Sequence, residues 1–201
     1  MIKNIIFDLG NVLISFRPEE YIAEFGFDAD KAETLRKIIF SPAWNEYDRG
    51  VYKDSLELAD ALAEKHPEFE SEIRLLLDRC WVRLNTLKSE TQEYMKELKS
   101  RGYGIYILSN LNFDAWEFVK QFEFFTLADG SVYSCLEGKC KPEGAIYRVL
   151  LERFGLRAEE CLFTDDSPVN IAAAEALGIK GVVFTSLEDA KPKIEAMLNR
   201  D

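Results

Sequence analysis

The chain has a single histidine in 201 residues, His66, set in the polar stretch Glu64-Lys65-His66-Pro67-Glu68. That scarcity removes much familiar hydrolytic machinery, because a Ser-His-Asp triad, a His-ligated zinc or a histidine general acid would each have to be built on this one residue. Its polar neighbours read as a solvated loop or helix end. Cysteine is nearly as sparse. Cys80, Cys135, Cys140 and Cys161 show no C-x-x-C spacing, so neither a zinc cluster nor a disulfide framework is indicated, and the thiols read as reduced and structural. Basic charge is in deficit as well. With 36 Asp+Glu against 25 Lys+Arg and a net charge of −11, the chain has no general attraction for nucleic acid or anionic lipid. An anionic substrate would have to be held locally, by a metal ion or a few placed cations. No apolar run approaches the roughly 20 residues that span a bilayer, and Met1 to Phe7 runs into Asp8 without a small-residue cleavage site, so a cytoplasmic protein is expected. Nucleotide fingerprints fail too: no G-K-[ST] occurs, and Gly102-Tyr103-Gly104 precedes a strand-like run instead of a helix. Nothing in the sequence marks a protein partner.

What is present is a globular balance, 47% hydrophobic and 30% charged, enough for one sizeable core with a smaller lobe. Short β-rich runs occur at Ile5 to Leu9, Gly104 to Leu108, Cys161 to Thr164 and Gly181 to Phe184, with a weaker one at Phe124 to Leu127. Amphipathic stretches alternate with them: Glu90 to Ser100, Asp114 to Phe122, Pro142 to Phe154, Pro168 to Leu177 and Leu187 to Asn199. Alternation of this kind predicts the α/β class, a doubly wound parallel sheet with helices on both faces.

Residues 18–84 break the alternation. This stretch holds no convincing strand, and apolar residues recur at three- and four-residue spacing, as in Ile73, Leu76, Leu77, Cys80, Trp81 and Leu84, or in Leu56, Leu58, Ala59, Leu62 and Ala63. It reads as an inserted all-helical lobe, residues 1–17 and 85–201 forming the α/β core. Within it, the aromatic piece from Trp44 to Gly50 reads either as a packed turn or as a wall of the substrate pocket, with Trp44, Tyr47 and Arg49 as candidate substrate contacts.

Polar residues stand at the ends of three predicted strands. Asp8 follows Ile5-Ile6-Phe7 and precedes Gly10-Asn11; Ser109-Asn110 follows Ile105 to Leu108; Asp165-Asp166-Ser167 follows Cys161 to Thr164. Lys141 comes just before Pro142, where a helix is expected to begin. In a parallel doubly wound sheet such strand ends share one edge, and ligands bind where the strand order reverses. Each residue alone is ordinary turn chemistry. Together, two or three carboxylates suit a hard divalent cation such as magnesium, Lys141 and the Ser109 hydroxyl suit phosphoryl oxygens, and a carboxylate beside the metal can attack phosphorus.

In these features the chain resembles the haloacid dehalogenase-like (HAD) hydrolases. Four motifs carry the likeness, in order: Phe7-Asp8-Leu9-Gly10-Asn11-Val12-Leu13, Ile107-Leu108-Ser109-Asn110, Lys141-Pro142-Glu143-Gly144-Ala145-Ile146-Tyr147 and Phe163-Thr164-Asp165-Asp166-Ser167-Pro168-Val169-Asn170. The resemblance implies a Rossmann-like core with a helical cap, and the first motif is most similar to a branch of sugar-phosphate phosphatases. It implies Asp8 as nucleophile and metal ligand, the Gly10 carbonyl and Asp166 as further ligands of Mg2+, and Asp165 in support. It implies Ser109 and the Asn110 N–H as phosphate-binding, Lys141 rather than Lys139 as the neutralising cation, and a hydrogen-bonding role for Asn170. The implied partner is a small phosphorylated metabolite.

The sequence departs from the family at Gly10, where most phosphatases carry a second Asp as general acid and base. Such help is typically worth about 10²–10⁴-fold. Three readings follow: a phosphatase that takes its proton relay from water, substrate or a cap residue such as Asp48 or Glu46; a metal-independent 2-haloacid dehalogenase; and a non-catalytic phosphate-sensing or interaction module. The first is preferred, because the acidic pair Asp165-Asp166 favours a cation at that edge.

Overall fold

The computed structural model describes residues 1–78 and 81–199. The chain opens with β1 (Asn4–Phe7) and β2 (Ile14–Phe16). Next come α1 (Pro18–Ala23), α2 (Ala29–Ile39), α3 (Pro42–Asp48), α4 (Ser55–Lys65) and α5 (Glu70–Leu76), followed by β3 (Asn85–Leu87). The remainder alternates: α6 (Ser89–Ser100), β4 (Gly104–Ser109), α7 (Phe113–Val119), α8 (Phe124–Leu127), β5 (Gly130–Tyr133), α9 (Ser134–Glu137) and α10 (Gly144–Phe154), then β6 (Cys161–Asp165), α11 (Pro168–Glu175), β7 (Lys180–Val183) and α12 (Leu187–Leu198).

Five strands form one parallel sheet in the order β5-β4-β1-β6-β7. The chain winds outward from β1 through β4 to β5, then returns to the other side of β1, so strand order reverses between β1 and β6. The helices take both faces, which is why the central strands β1, β4 and β6 are largely apolar and buried. Along β1, Ile5 and Phe7 enter one apolar cluster and Ile6 the other, as the period of two in a strand buried on both sides requires.

The weak run at Phe124 to Leu127 is not a strand. It forms the single turn α8, with Phe124 buried, and the edge strand is β5 at Gly130–Tyr133. Periodicity overlooked β5 because its entry is a glycine. A Cβ on Gly130 would lie 2.3 Å from the Phe154 ring, so the close packing of α10 against this edge requires the glycine that weakens the strand signal. A second feature absent from the sequence reading is the antiparallel ribbon of β2 and β3, which pairs Ile14 with Leu87 and Phe16 with Asn85 across some seventy residues. Helices α1 to α5 are strung between its two strands.

Trp44 to Asp48 lies in α3 instead of a turn. Ser41 caps that helix, its Oγ accepting from the Ala43 amide at 3.3 Å, and Pro42 fills the first helical position. Of the two apolar stripes, Leu58, Ala59, Leu62, Ala63, Ile73, Leu76, Leu77, Trp81 and Leu84 are buried, Leu56 is exposed, and Cys80 lies outside the described residues. The larger apolar cluster runs unbroken from the sheet face through Leu35, Leu58 and Ile73. His66 ends α4 at the surface. Cys135, Cys140 and Cys161 are free and buried. Among the described residues no helix is long and apolar enough to cross a membrane.

Candidate active site

The sheet register brings the charged residues together. Phe7 is paired with Thr164, so Asp8 and Asp165, each the next residue, emerge side by side at the crevice between β1 and β6. The Asp8 amide donates to the Thr164 carbonyl at 3.0 Å, which continues the ladder one step past the strand and holds the aspartate in place.

Lys141 fills the space between them. Its Nζ donates to Asp8 Oδ1 at 2.7 Å and to Asp165 Oδ2 at 2.6 Å, and all three residues are buried. Burial alone would neutralise an ammonium, yet the two carboxylates outweigh it and keep Lys141 above its ordinary range. Burial acts on Asp8 in the opposite sense: against the pull of Lys141, and helped by Asp165 and Asp166, it pushes the carboxyl up to about 7. Lys139 takes no part. Among the described residues its Nζ reaches only the Glu137 carbonyl, at 3.4 Å.

The oxygens of the three aspartates are employed differently. Asp165 is saturated: Oδ1 accepts from the Ser167 amide at 2.8 Å and from Asn170 Nδ2 at 3.0 Å, while Oδ2 accepts from Lys141 and from Asn170 Nδ2 at 3.1 Å. Asp8 uses only Oδ1, which accepts from Lys141 and from the Leu9 amide at 2.7 Å; Oδ2 accepts no hydrogen bond among the described residues. Asp166 is partly exposed and, among the described residues, accepts only from Asn11 Nδ2, at 2.8 Å through Oδ2. Asn11 turns back toward Asp166 with φ of 55°, and Lys88 Nζ donates to its carbonyl at 2.8 Å. Asp8, Asp165 and Asp166 each present a carboxylate oxygen within 4.8 Å of the others, a donor set that fits a hard divalent cation.

The other two motifs are joined by a clip. Asn110 Nδ2 donates to the Lys141 carbonyl at 2.9 Å, and the Lys141 amide donates to Asn110 Oδ1 at 2.8 Å. Ser109 at the end of β4 is buried, its hydroxyl donating to the Asn110 carbonyl at 3.3 Å.

Beside this cluster opens a pocket of about 140 Å³. Its floor includes Gly10 and Asn110; its walls are Ile14, Phe16, Trp44, Trp81, Leu111 and Ala115, interrupted by Asp48, Asn85 and Asn112. Trp44 and Trp81 meet edge to face with centroids 5.2 Å apart. Of the three candidate substrate contacts, only Trp44 lines the pocket. Tyr47 is buried, its hydroxyl donating to Asp114, and Arg49 is turned to Glu143. Sequence reasoning did not single out Asn112 or the ribbon residues Ile14, Phe16 and Asn85 as pocket residues. Asn112 carried a usable signal, a helix N-cap two residues past the second motif; the ribbon carried none.

A parallel sheet with an acidic crevice at its switch point, and helices inserted after the first strand, is an α/β architecture that gathers strand-end carboxylates at one edge. The chain belongs to the haloacid dehalogenase-like hydrolases, whose family model matches residues 2–178. It is 28% identical over 189 residues to the sesquiterpene phosphatase astK of Aspergillus oryzae, covering 91% of this chain and 90% of that one. It is 26% identical over 202 residues to the drimenol cyclase drtB of Aspergillus calidoustus, of which it spans only 36%. A HAD family enzyme of Bacteroides thetaiotaomicron, bt-2542, solved with magnesium and inorganic phosphate, superposes with a TM-score of 0.71 at 25% identity, covering 90% of this chain and 93% of that one. Dehalogenase structures at 17–20% identity share the fold and show no more than that.

Proposed function

We propose that the protein is a magnesium-dependent phosphomonoesterase that acts on a small phosphorylated metabolite through an aspartyl-phosphate on Asp8. The observation that carries this reading is the division of labour among the aspartates: among the described residues Asp8 keeps one oxygen without a hydrogen bond at the crevice, Asp165 has both oxygens engaged by Lys141, Ser167 and Asn170, and the partly exposed Asp166 keeps one oxygen open. Asp8, the Gly10 carbonyl and Asp166 would hold Mg2+, with Asp165 in support; the cation supplies charge neutralisation to the phosphoryl group. Asp8 Oδ2 attacks phosphorus while Lys141 steadies the second carboxylate oxygen and the incoming phosphoryl charge. Ser109 and the Asn110 N–H bind the remaining phosphoryl oxygens. The likeness to a phosphatase and to a structure holding magnesium and phosphate supports phosphoryl chemistry.

The body of the substrate would lie in the aromatic pocket. A sugar ring suits it, with one face on Trp44 and hydroxyls toward Asn85 and Asn112, and an isoprenyl chain is the comparison of choice because the lining is largely apolar. The experiment is a screen of sugar and isoprenyl phosphates with and without magnesium, with Asp8→Asn as control. Magnesium-dependent phosphate release that Asp8→Asn abolishes is the expected result. Full activity in Asp8→Asn, or metal-independent halide release from a 2-haloacid in its place, would overturn the mechanism. A magnesium-dependent rise in melting temperature with phosphate analogues, but no turnover, would leave only a sensing module.

A further inference from the structure

Resting on the phosphatase reading, we infer that Asp48, delivered by the helical segment, is the general acid and base of this enzyme, working from across the pocket in place of the aspartate that Gly10 lacks.

The two residues line one pocket. A Cβ built on Gly10 meets nothing within 4 Å, so the space beside the nucleophile that a side chain at residue 10 would occupy is open. Asp48 faces that space from the last residue of α3 and is held on three sides. Asn112 Nδ2 donates to Asp48 Oδ1 at 3.0 Å, and Asn112 is itself fixed because its Oδ1 caps α7, accepting from the Ala115 amide at 3.0 Å. The Ser134 hydroxyl donates to the Asp48 carbonyl. Arg49 Nη2 pairs with Glu143 Oε1 at 2.5 Å, and Gly50, at φ +83°, passes so close to α9 that a Cβ there would lie 2.6 Å from the Cys135 carbonyl oxygen. The Asp48 carboxylate is thus oriented by the capping residue Asn112, and the backbone that carries it is fixed by Ser134 and by the Arg49–Glu143 ion pair.

Glu46, the alternative donor, is half exposed in its side chain and turned toward Arg49 at 3.9 Å. It does not line the pocket.

The surroundings suit a proton carrier. The charge that bears on Asp48 is that of Lys141 at the strand edge; the other titratable groups facing it, Tyr47 in its own helix and Cys135 and Cys140 on the facing segment, are themselves raised by burial and by the charge of Asp48. Enclosure pushes the Asp48 carboxyl up to about 7, against the lowering effect of the Asn112 hydrogen bonds and of Lys141. That value lies where a group can both give and take a proton near neutrality.

The step balances. As Asp8 Oδ2 bonds to phosphorus and the bond from phosphorus to the leaving oxygen breaks, protonated Asp48 transfers its proton to that oxygen and the alcohol departs. Asp48, now a carboxylate, then takes a proton from water as the water oxygen bonds to phosphorus and the Asp8–phosphorus bond breaks. Inorganic phosphate leaves and Asp48 is protonated again.

The test compares Asp48→Asn with wild type on two substrates, an alkyl phosphate and 4-nitrophenyl phosphate, with magnesium present. Asparagine keeps an acceptor for Asn112, and an unchanged unfolding midpoint checks that the fold survives. For the alkyl phosphate, kcat/KM is expected to fall about 10²-fold or more. With 4-nitrophenyl phosphate, whose leaving group needs no proton, a rapid release of about one nitrophenolate per enzyme is expected to persist, followed by turnover slowed at phosphoenzyme hydrolysis. Gly10→Asp added to Asp48→Asn is expected to restore a substantial part of the alkyl phosphate activity, which a purely structural role for Asp48 would not allow. Equal losses on both substrates without rescue, or a loss under about threefold on the alkyl phosphate, would overturn the assignment of Asp48 while leaving Asp8 as nucleophile. Wild type without any magnesium-dependent release would overturn the phosphatase reading itself, and the assignment with it.

Discussion

The two sides of the crevice are built on different physical principles. On the sheet side, charges are buried and paired: Lys141 lies between Asp8 and Asp165, all three nearly out of reach of solvent. Adjacent backbone registers place them, so their geometry is as stiff as the sheet. On the opposite side the wall is aromatic and carries one carboxyl, Asp48, whose position depends on contacts between distant parts of the chain. The difference teaches where each kind of function resides. On the proposed reading, attack on phosphorus, which needs invariant distances, falls to strand ends, while substrate fit and proton supply fall to a helical segment that can vary around that edge.

The contrast can be broken most severely at its centre. Asp8→Asn keeps the shape of the cluster but removes the nucleophile, and phosphate release is expected to fall by about 10⁴-fold or more, read by initial rates against the same magnesium concentration.

Lys141→Met should break the sheet side structurally. Removing the one cation leaves two buried carboxylates facing each other, at an expected cost of about 3–5 kcal/mol, measured by urea unfolding at pH 8. Part of this loss should be regained as the pH falls, because Asp8, raised to about 7 by burial even against the pull of Lys141, moves higher still without that cation and takes up a proton. A loss that is the same at pH 6 and pH 8 would count against that picture.

On the helical side the effect is smaller and shows in the pH dependence of stability. Asp48 has a native value of about 7 against about 3.9 for an unfolded aspartate. Between these values the native state holds a proton that the unfolded chain has lost. Its contribution is therefore fully present near pH 4 and is lost as the pH rises through about 7. Asp8 acts with the same sign, so Asp48→Asn should flatten the decline by its own share alone, about 2 kcal/mol once its partial exposure is allowed for. Urea midpoints from pH 4 to 8 would show it, and an unaltered slope would remove the basis for an elevated Asp48.

The smallest effect is expected from Gly10→Asp in the otherwise unchanged chain. The site has room for the side chain, and Asp48 already faces it, so activity on an alkyl phosphate should stay level or rise by less than about tenfold. A large loss would mean that the space at Gly10 serves the substrate itself.

Much of the sheet side was legible without a structure. Asp8, Ser109 and Asp165 each stand at or just past the end of an apolar run, and a parallel sheet brings such ends to one edge whatever the details of the helices. The alternation of runs was enough for the topology, but not for every strand: β5 begins at a glycine that tight packing against Phe154 requires, and Phe124 to Leu127 satisfied an apolar pattern as one buried helical turn. The β2–β3 ribbon was invisible because three-residue strands paired across some seventy residues leave no local periodicity.

The sequence by itself determined the acidic, histidine-poor chemistry, the α/β class and the strand-end residues of the crevice, because each is written in neighbouring residues and in the period of two. The tertiary structure was needed to show how the three aspartates divide their oxygens, that Trp44 and not Tyr47 or Arg49 lines the pocket, and that Asp48 rather than Glu46 lines it beside Gly10. These choices depend on side-chain hydrogen bonds and packing between residues far apart in the chain, such as Asp48 with Asn112, and such contacts leave no trace in local sequence pattern.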